Sequence, residues 1–169
     1  MKKIYAPWRH TYVTCDVKEK ERSSSRPANE CIFCIHSAQE NDAENLILKR
    51  YTHTIVVLNR YPYNAGHLMT LPRNHKPDLI DLSVEERNEL MEVTTLCIEK
   101  LKPTLKPHGF NVGINLGAGA GAGLPSHLHM HIVPRWNGDT NFMPVLADTK
   151  VISSDIHQVY KDLAKLFQE

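Results

Sequence analysis

Charge imbalance is what this sequence lacks most plainly: 20 lysines and arginines stand against 19 aspartates and glutamates. Such a chain carries no broad basic field for duplex nucleic acid and no polybasic anchor for a membrane. Also missing is any apolar run long enough to span a bilayer. The opening MKKIYAPWRHTY has two lysines but no apolar stretch behind them, and Pro7 and Arg9 interrupt it, so it is not read as a targeting segment. Cysteine is sparse. Its four copies do not form the framework of a secreted protein, and the close pair, Cys31 and Cys34, has a C-x-x-C spacing that points to metal or redox use in a reducing compartment. The expectation is a cytoplasmic protein with neither a membrane nor a nucleic acid as partner. At 169 residues the chain suits one domain with a sizeable core, and two would be cramped.

What is present divides into an arm and a body. Residues 1–30 read as an N-terminal arm and loop: IYAPWRHTYV is too aromatic for a free tail and should pack on the body or on a neighbouring subunit, and the charged CDVKEKERSSSRPANE is a solvated connection. Residues 31–169 read as a single domain. Within it, NLILKR and HTIVVLNR, split by Tyr51 and Thr52, form a candidate hairpin. YPYNAG is a turn, and HLMTLP is a strand that Pro72 ends. Ser83 and Glu86 fit a capping box, and Leu90, Cys97, Ile98 and Leu101 recur at helical spacing, which predicts a helix from Ser83 to about Leu101. In FNVGINLG, strict alternation aims Phe110, Val112, Ile114 and Leu116 at the core. A last helix from near Ser154 would pack Ile156, Val159, Leu163 and Phe167. Hairpin connections without a βαβ rhythm predict an α+β fold with an antiparallel sheet.

The chemistry concentrates in SHLHMHIVPRW, residues 126–136. Period two is the strand period, so Leu128, Met130 and Ile132 bury one face while His127, His129 and His131 line the other. One histidine on a strand is ordinarily a solvated polar residue; three in register are not. A crowded row of imidazoles cannot all be protonated, so some are neutral, and a neutral imidazole serves as nucleophile, general base or metal ligand. Such a row also predicts an acid limb in the pH–rate profile. Upstream, glycines 117, 119, 121 and 123 give a loop that can adopt positive φ and offer backbone N–H groups to phosphate oxygens. The loop matches neither the dinucleotide nor the Walker pattern. Its value is its place between the strand of Asn115 and the histidines, which points to a phosphate ester as substrate.

HLHMHIV fits the H-φ-H-φ-H-φ-φ motif of the histidine triad (HIT) superfamily, nucleotidyl hydrolases and transferases. CIFC, LNRYPYNAGHLMTLP, HGFNVGINLG, PRWNGDTNFMPV, APWRHTYV and the closing helix extend the resemblance over nearly the whole chain, to the bacterial branch similar to diadenosine tetraphosphate phosphorylases and hydrolases. The resemblance implies an α+β fold with an antiparallel sheet of about five strands, a long central helix and a C-terminal helix. It also implies a homodimer or tetramer. His129 matches the nucleophile that takes a nucleotidyl group. Its other ring nitrogen would be held by a backbone carbonyl, expected in the glycine loop. His131 matches a residue that contacts phosphate and helps the leaving group, and His127 completes the catalytic motif. Asn59, eight residues before His67, matches the ribose-binding Asp or Asn, and His67 belongs to the same substrate-binding segment. Asn115 matches a residue that reaches the α-phosphate. Where the family often has Gln or Ser before the motif, this chain has Gly123 and Leu124, with Ser126 next to His127. Backbone amides at Gly123, or the hydroxyl of Ser126 or Thr140, would then do that work.

Cys31 and Cys34 make one edge of a tetrahedral zinc site, and two ligands are not enough. His75 in LPRNH and His127 are the candidates to complete Cys₂His₂, as in bacterial family members that resemble this chain at CIFC. A closed set of four would make zinc structural. Trp136 and Arg135 could touch substrate or be ordinary packing and surface residues, and His10, His36, His53, His108 and His157 have no partner visible in the sequence. The expected function is cleavage of a dinucleoside polyphosphate at its α-phosphate through a nucleotidyl-His129 intermediate, with phosphate or water as acceptor. The rivals are a phosphoramidase or adenylyl hydrolase with a small leaving group, and a zinc-stabilised nucleotide sensor with incidental turnover.

Overall fold

The structure is a computed structural model that describes residues 27–140, 152 and 154–168. The expectations for the aromatic arm and for residues 141–145 lie outside the described residues. The elements run α1 (Ile32–Ala38), β1 (Ile47–Arg50), β2 (Thr54–Leu58), β3 (Leu68–Pro72), α2 (Val84–Leu105), β4 (Gly109–Ile114), β5 (Met130–Arg135) and α3 (Ile156–Ala164). The strands form one antiparallel sheet in the order β1-β2-β3-β5-β4. This is the predicted α+β architecture.

Strand alternation sorts each side chain to one of two faces. Leu48, Val56, Leu58, Leu68 and Ile132 point to α2 and α3, where Val93, Cys97, Leu101, Leu163 and Phe167 meet them in the main core. Ile47, Ile55, Val57, Met69 and Leu71 point the other way, with Phe33 of α1 packed against them. That second layer is thin. It leaves an apolar sheet face that α1 covers in part.

Helix α2 starts as predicted. The Ser83 hydroxyl accepts from the Glu86 N–H at 3.2 Å, and Glu86 accepts in return from the Ser83 N–H at 2.7 Å. It runs on to Leu105, through Pro103. The missing proline N–H leaves only the carbonyl of exposed Glu99 unserved, and water can reach it. Gly66, in the turn before His67, has φ +71°, and a Cβ there would lie 2.3 Å from Leu105 Cδ1. Glycine lets the turn nest under the end of α2.

Two expectations are corrected. Phe110 and Ile114 pack inward, but Val112 and Leu116 are 44% and 41% exposed, because β4 is the edge of the sheet and among the described residues no element covers that part of it. The strand predicted from residue 126 joins the ladder only at Met130, opposite Thr70. His127, Leu128 and His129 precede the ladder, and the Leu128 N–H is bound instead by the carbonyl of Lys76 at 2.7 Å. The alternation survives: Leu128 and Met130 are buried with Leu82 and Leu90, while the histidines take the opposite side.

Candidate active site

The thin apolar layer floors a cleft of about 610 Å³. Its walls are Ile47, Ile55, Val57, Met69 and Leu71 from the sheet and Ile32 and Phe33 from α1; Asn59, Gly123, His129 and His131 line it too. One half of the slot is therefore apolar and the other carries imidazoles. A nucleoside bearing phosphate has the same two halves, and a pocket of this size suits it.

Hydrogen bonds fix which nitrogen of each imidazole carries a proton. His129 Nδ1 lies 2.8 Å from the carbonyl of His127, which can only accept, so Nδ1 is protonated and Nε2 keeps its lone pair. The holding carbonyl is thus His127's own, not one in the glycine loop, because two residues along an extended chain bring ring and carbonyl together. At His67 the reasoning runs the other way. The Tyr63 N–H can only donate, and it meets His67 Nδ1 at 3.1 Å, so the proton of neutral His67 sits on Nε2. That Nε2–H donates to His131 Nδ1 at 2.9 Å, which leaves His131 with its N–H on Nε2. A lone pair on His129 and an N–H donor on His131 therefore stand side by side, their rings 4.9 Å apart.

Neutrality is built in by burial. His67 is fully buried, and burial, then the neighbouring His131 and His129, hold it down to about 3. Burial and then His129 bring His131 to about 4, and burial lowers His129 as well. The imidazoles are uncharged at neutral pH, and the acid limb expected of them lies below the ordinary histidine range.

His127 faces away from the cleft. Its Nδ1 lies 3.4 Å from both Cys31 Sγ and Cys34 Sγ, and His75 Nδ1 lies 3.3 Å from Cys34 Sγ. The four ligand atoms fall within 4.8 Å of one another. Ligands on a tetrahedral zinc, with bonds near 2.3 Å to sulfur and 2.0 to 2.1 Å to nitrogen, stand about 3.6 Å apart across an S–N edge, so the set fits. Burial and the neighbouring Cys31 push the Cys34 thiol up to about 12, so holding thiolates here calls for a cation. His127 Nε2 donates to the carbonyl of Pro72 at 2.8 Å, which orients the ring to ligate through Nδ1. With four protein ligands and no carboxylate in the cluster, this is the arrangement of a structural zinc site, where the residues hold an ion and leave no position for substrate. Of the two roles expected of His127, the ring geometry serves the metal.

The remaining candidates scatter. Asn59 accepts from the Tyr61 N–H at 3.0 Å, which turns its amide nitrogen toward His67. Asn115 lines a second cavity of about 490 Å³ along β4, on the far side of His131, together with Thr140. Ser126 is buried, its hydroxyl has no partner among the described residues, and it lines neither cavity. Of the loop glycines, Gly117 and Gly121 have positive φ, while Gly119 and Gly123 do not. Arg135 is bound to Asp139 at 2.6 Å and to Asn111 at 2.7 Å, so its charge is spent within the protein.

Sequence reasoning missed α1. Ile32, Phe33, His36 and Ser37 all line the cleft, and the Phe33 ring packs at a steep angle to both His127 and His129, centroids 5.5 and 5.4 Å away. The signal was there. Cys31 and Cys34 are three apart on one side of a helical turn, and Phe33 with Ser37 are four apart on another.

Comparison with known proteins agrees with this geometry. The HIT domain family matches residues 40–138. The AP-4-A phosphorylase of Mycobacterium tuberculosis (strain ATCC 25618 / H37Rv) is 40% identical over 167 residues, which cover 98% of this chain and 82% of the relative. Among solved structures, a zinc-bound histidine triad family protein from Mycobacterium smegmatis has a similar fold, with a TM-score of 0.66 at 22% identity over 83% of this chain and 95% of that one. So does the diadenosine triphosphate hydrolase of Plasmodium falciparum in complex with cyclomarin A, with a TM-score of 0.60 at 16% identity over 88% and 92% of the two chains. Motif, fold and homology thus meet on one conclusion, that the chain belongs to the HIT domain family.

Proposed function

We propose that this protein is a dinucleoside polyphosphate phosphorylase that acts through a nucleotidyl-His129 intermediate. One observation carries the reading: the bond from His129 Nδ1 to the carbonyl of His127 leaves an Nε2 lone pair at the wall of a half-apolar cleft, beside an N–H donor on His131. The nucleoside lies against Phe33 and the sheet, and Asn59 offers its remaining N–H and lone pair to the ribose hydroxyls. His129 Nε2 attacks the α-phosphorus, the bond from that phosphorus to the bridging oxygen breaks, and ATP leaves from diadenosine tetraphosphate. His131 Nε2–H hydrogen-bonds the departing oxygen. An oxygen of inorganic phosphate then attacks the nucleotidyl group, releasing ADP and freeing the imidazole. Kinship with a named phosphorylase favours phosphate over water as the acceptor. Asn115, in the second cavity that His131 also lines, is the residue proposed to receive it.

Diadenosine tetraphosphate should give ADP plus ATP only when phosphate is supplied, as resolved by ion exchange. AMP plus ATP regardless of phosphate would make water the acceptor, and no turnover at all would refute the reading. The metal thiols suit a reducing cytoplasm. Among the described residues β4 has a free outer edge with Val112 and Leu116 exposed beside it, which favours pairing with a second copy there. Light scattering should then give at least twice the 19.3 kDa chain mass; a monomer would rule the pairing out.

A further inference from the structure

We propose that the Cys31–Cys34–His75–His127 cluster is a positioning device for catalysis: metal held there fixes the tautomer of the nucleophile and the nucleoside wall together. The inference rests on His129 as the nucleophile.

The first half follows from where the ladder stops. The peptide of His127 supplies the acceptor for His129 Nδ1, so its direction decides which ring nitrogen of His129 is left with the lone pair. Residues 127–129 lie outside the β5 ladder; the His127 N–H donates to the carbonyl of Leu124 at 3.4 Å and the Leu128 N–H to the carbonyl of Lys76 at 2.7 Å. The Leu128 N–H and the His127 carbonyl belong to one planar peptide, so the bond to Lys76, the residue after His75, aims the carbonyl. The side chain of His127 supplies a further tie: its Nδ1 is on the two sulfurs, its Nε2 is on Pro72 and its ring is packed perpendicular to Phe33. With His75 and His127 on one metal, both sides of the Leu128–Lys76 bond are held, and the carbonyl keeps its aim.

The second half follows from α1. The helix has only seven residues and none of them is buried, so little besides Phe33 on the apolar sheet face and Arg50 on the carbonyls of Ser37 and Gln39 holds it. Cys31 caps its start and Cys34 lies in its first turn. Those two ligands fasten it to His127 and His75, and Phe33 between them then stands over the cleft against His129. One cluster therefore sets both the reactive nitrogen and the surface the base packs on. Cys31, Cys34 and His75 act through His127 and Phe33; they touch no substrate.

The test follows His129 itself rather than turnover alone. In the zinc-loaded protein, nitrogen-15 imidazole correlation spectra at neutral pH should show His129 as a single Nδ1–H tautomer. His75→Ala should mix the tautomers, lower AMP affinity about tenfold through the loosened aromatic wall, and lower kcat further, with the far-ultraviolet helix signal retained. His75→Cys keeps four ligands and should restore all three readouts. His75→Asp keeps a weaker fourth ligand and folds with zinc in place. Drawing zinc from it with a chelator should make the tautomer signal and AMP affinity follow metal occupancy while the helix signal holds. A single Nδ1–H tautomer and unchanged AMP affinity at low occupancy would overturn the proposal. So would unfolding in step with metal loss, which would leave the metal a fold support only. Because the spectra report on His129 with no reaction, they stand even where turnover fails for another reason.

Discussion

Replacing His129 with alanine should lower turnover of diadenosine tetraphosphate by roughly five orders of magnitude, the scale seen when a covalent nucleophile is removed. No neighbour can stand in. The His131 Nδ1 lone pair is bound by His67 and its Nε2 carries the proton, while both nitrogens of His127 are engaged behind the cleft. AMP affinity should stay within severalfold, because the apolar walls and Asn59 are untouched. With substrate labelled at the α-phosphate and an alkaline quench, label should stay on the parent protein and not on the variant. Turnover within tenfold of the parent would end the covalent reading. Loss of AMP binding along with turnover would show a collapsed site, and His129→Asn, closer in size, would then separate the two effects.

His67→Phe should lower kcat about a hundredfold to a thousandfold with little change in KM, the range for loss of one oriented proton-handling group. Phenylalanine fills the buried site but offers no N–H to His131 Nδ1. The His131 proton can then settle on Nδ1, which turns the N–H facing the phosphate into a lone pair. Repulsion from phosphate replaces a hydrogen bond at the moment charge develops on the leaving oxygen. The same relay sets the acid limb. Protonating His67 or His131 turns the accepting nitrogen into a second donor and breaks the chain, and both groups sit below their ordinary value through burial. Activity should hold as pH falls through 6.5 and decline toward about 4. The sign for stability agrees: the unfolded chain binds protons on these histidines near 6.5 and the folded one resists until about 4, so stability drops across that window. A limb centred at 6.5 would refute the buried relay. An unchanged kcat in His67→Phe would show that His131 needs no partner.

Particular residues show what could be read before the fold was known. The alternation of His127, His129 and His131 with Leu128, Met130 and Ile132 is a local property of extended backbone, so it told the buried apolar face from the imidazole face. The capping box at Ser83 and Glu86 is local in the same way. Pairwise chemistry was also legible, since two cysteines need two more ligands and few histidines are placed to supply them. Long-range placement was not. That Val112 would be exposed depends on β4 being last in the sheet, an order no local pattern encodes. That α1 would wall the cleft goes with a Cys–His contact between residues 96 positions apart.

The sequence by itself determined which imidazoles and thiols could be grouped, because side-chain period and functional-group identity are local. Only the tertiary structure decided what each does. His127 sets its ring beside Cys31 and Cys34 and its carbonyl on His129, and His67 donates to His131. A tautomer is set by which partner stands at each nitrogen. Those partners are a carbonyl, a backbone N–H and a second imidazole, brought within 3.1 Å by the folded chain.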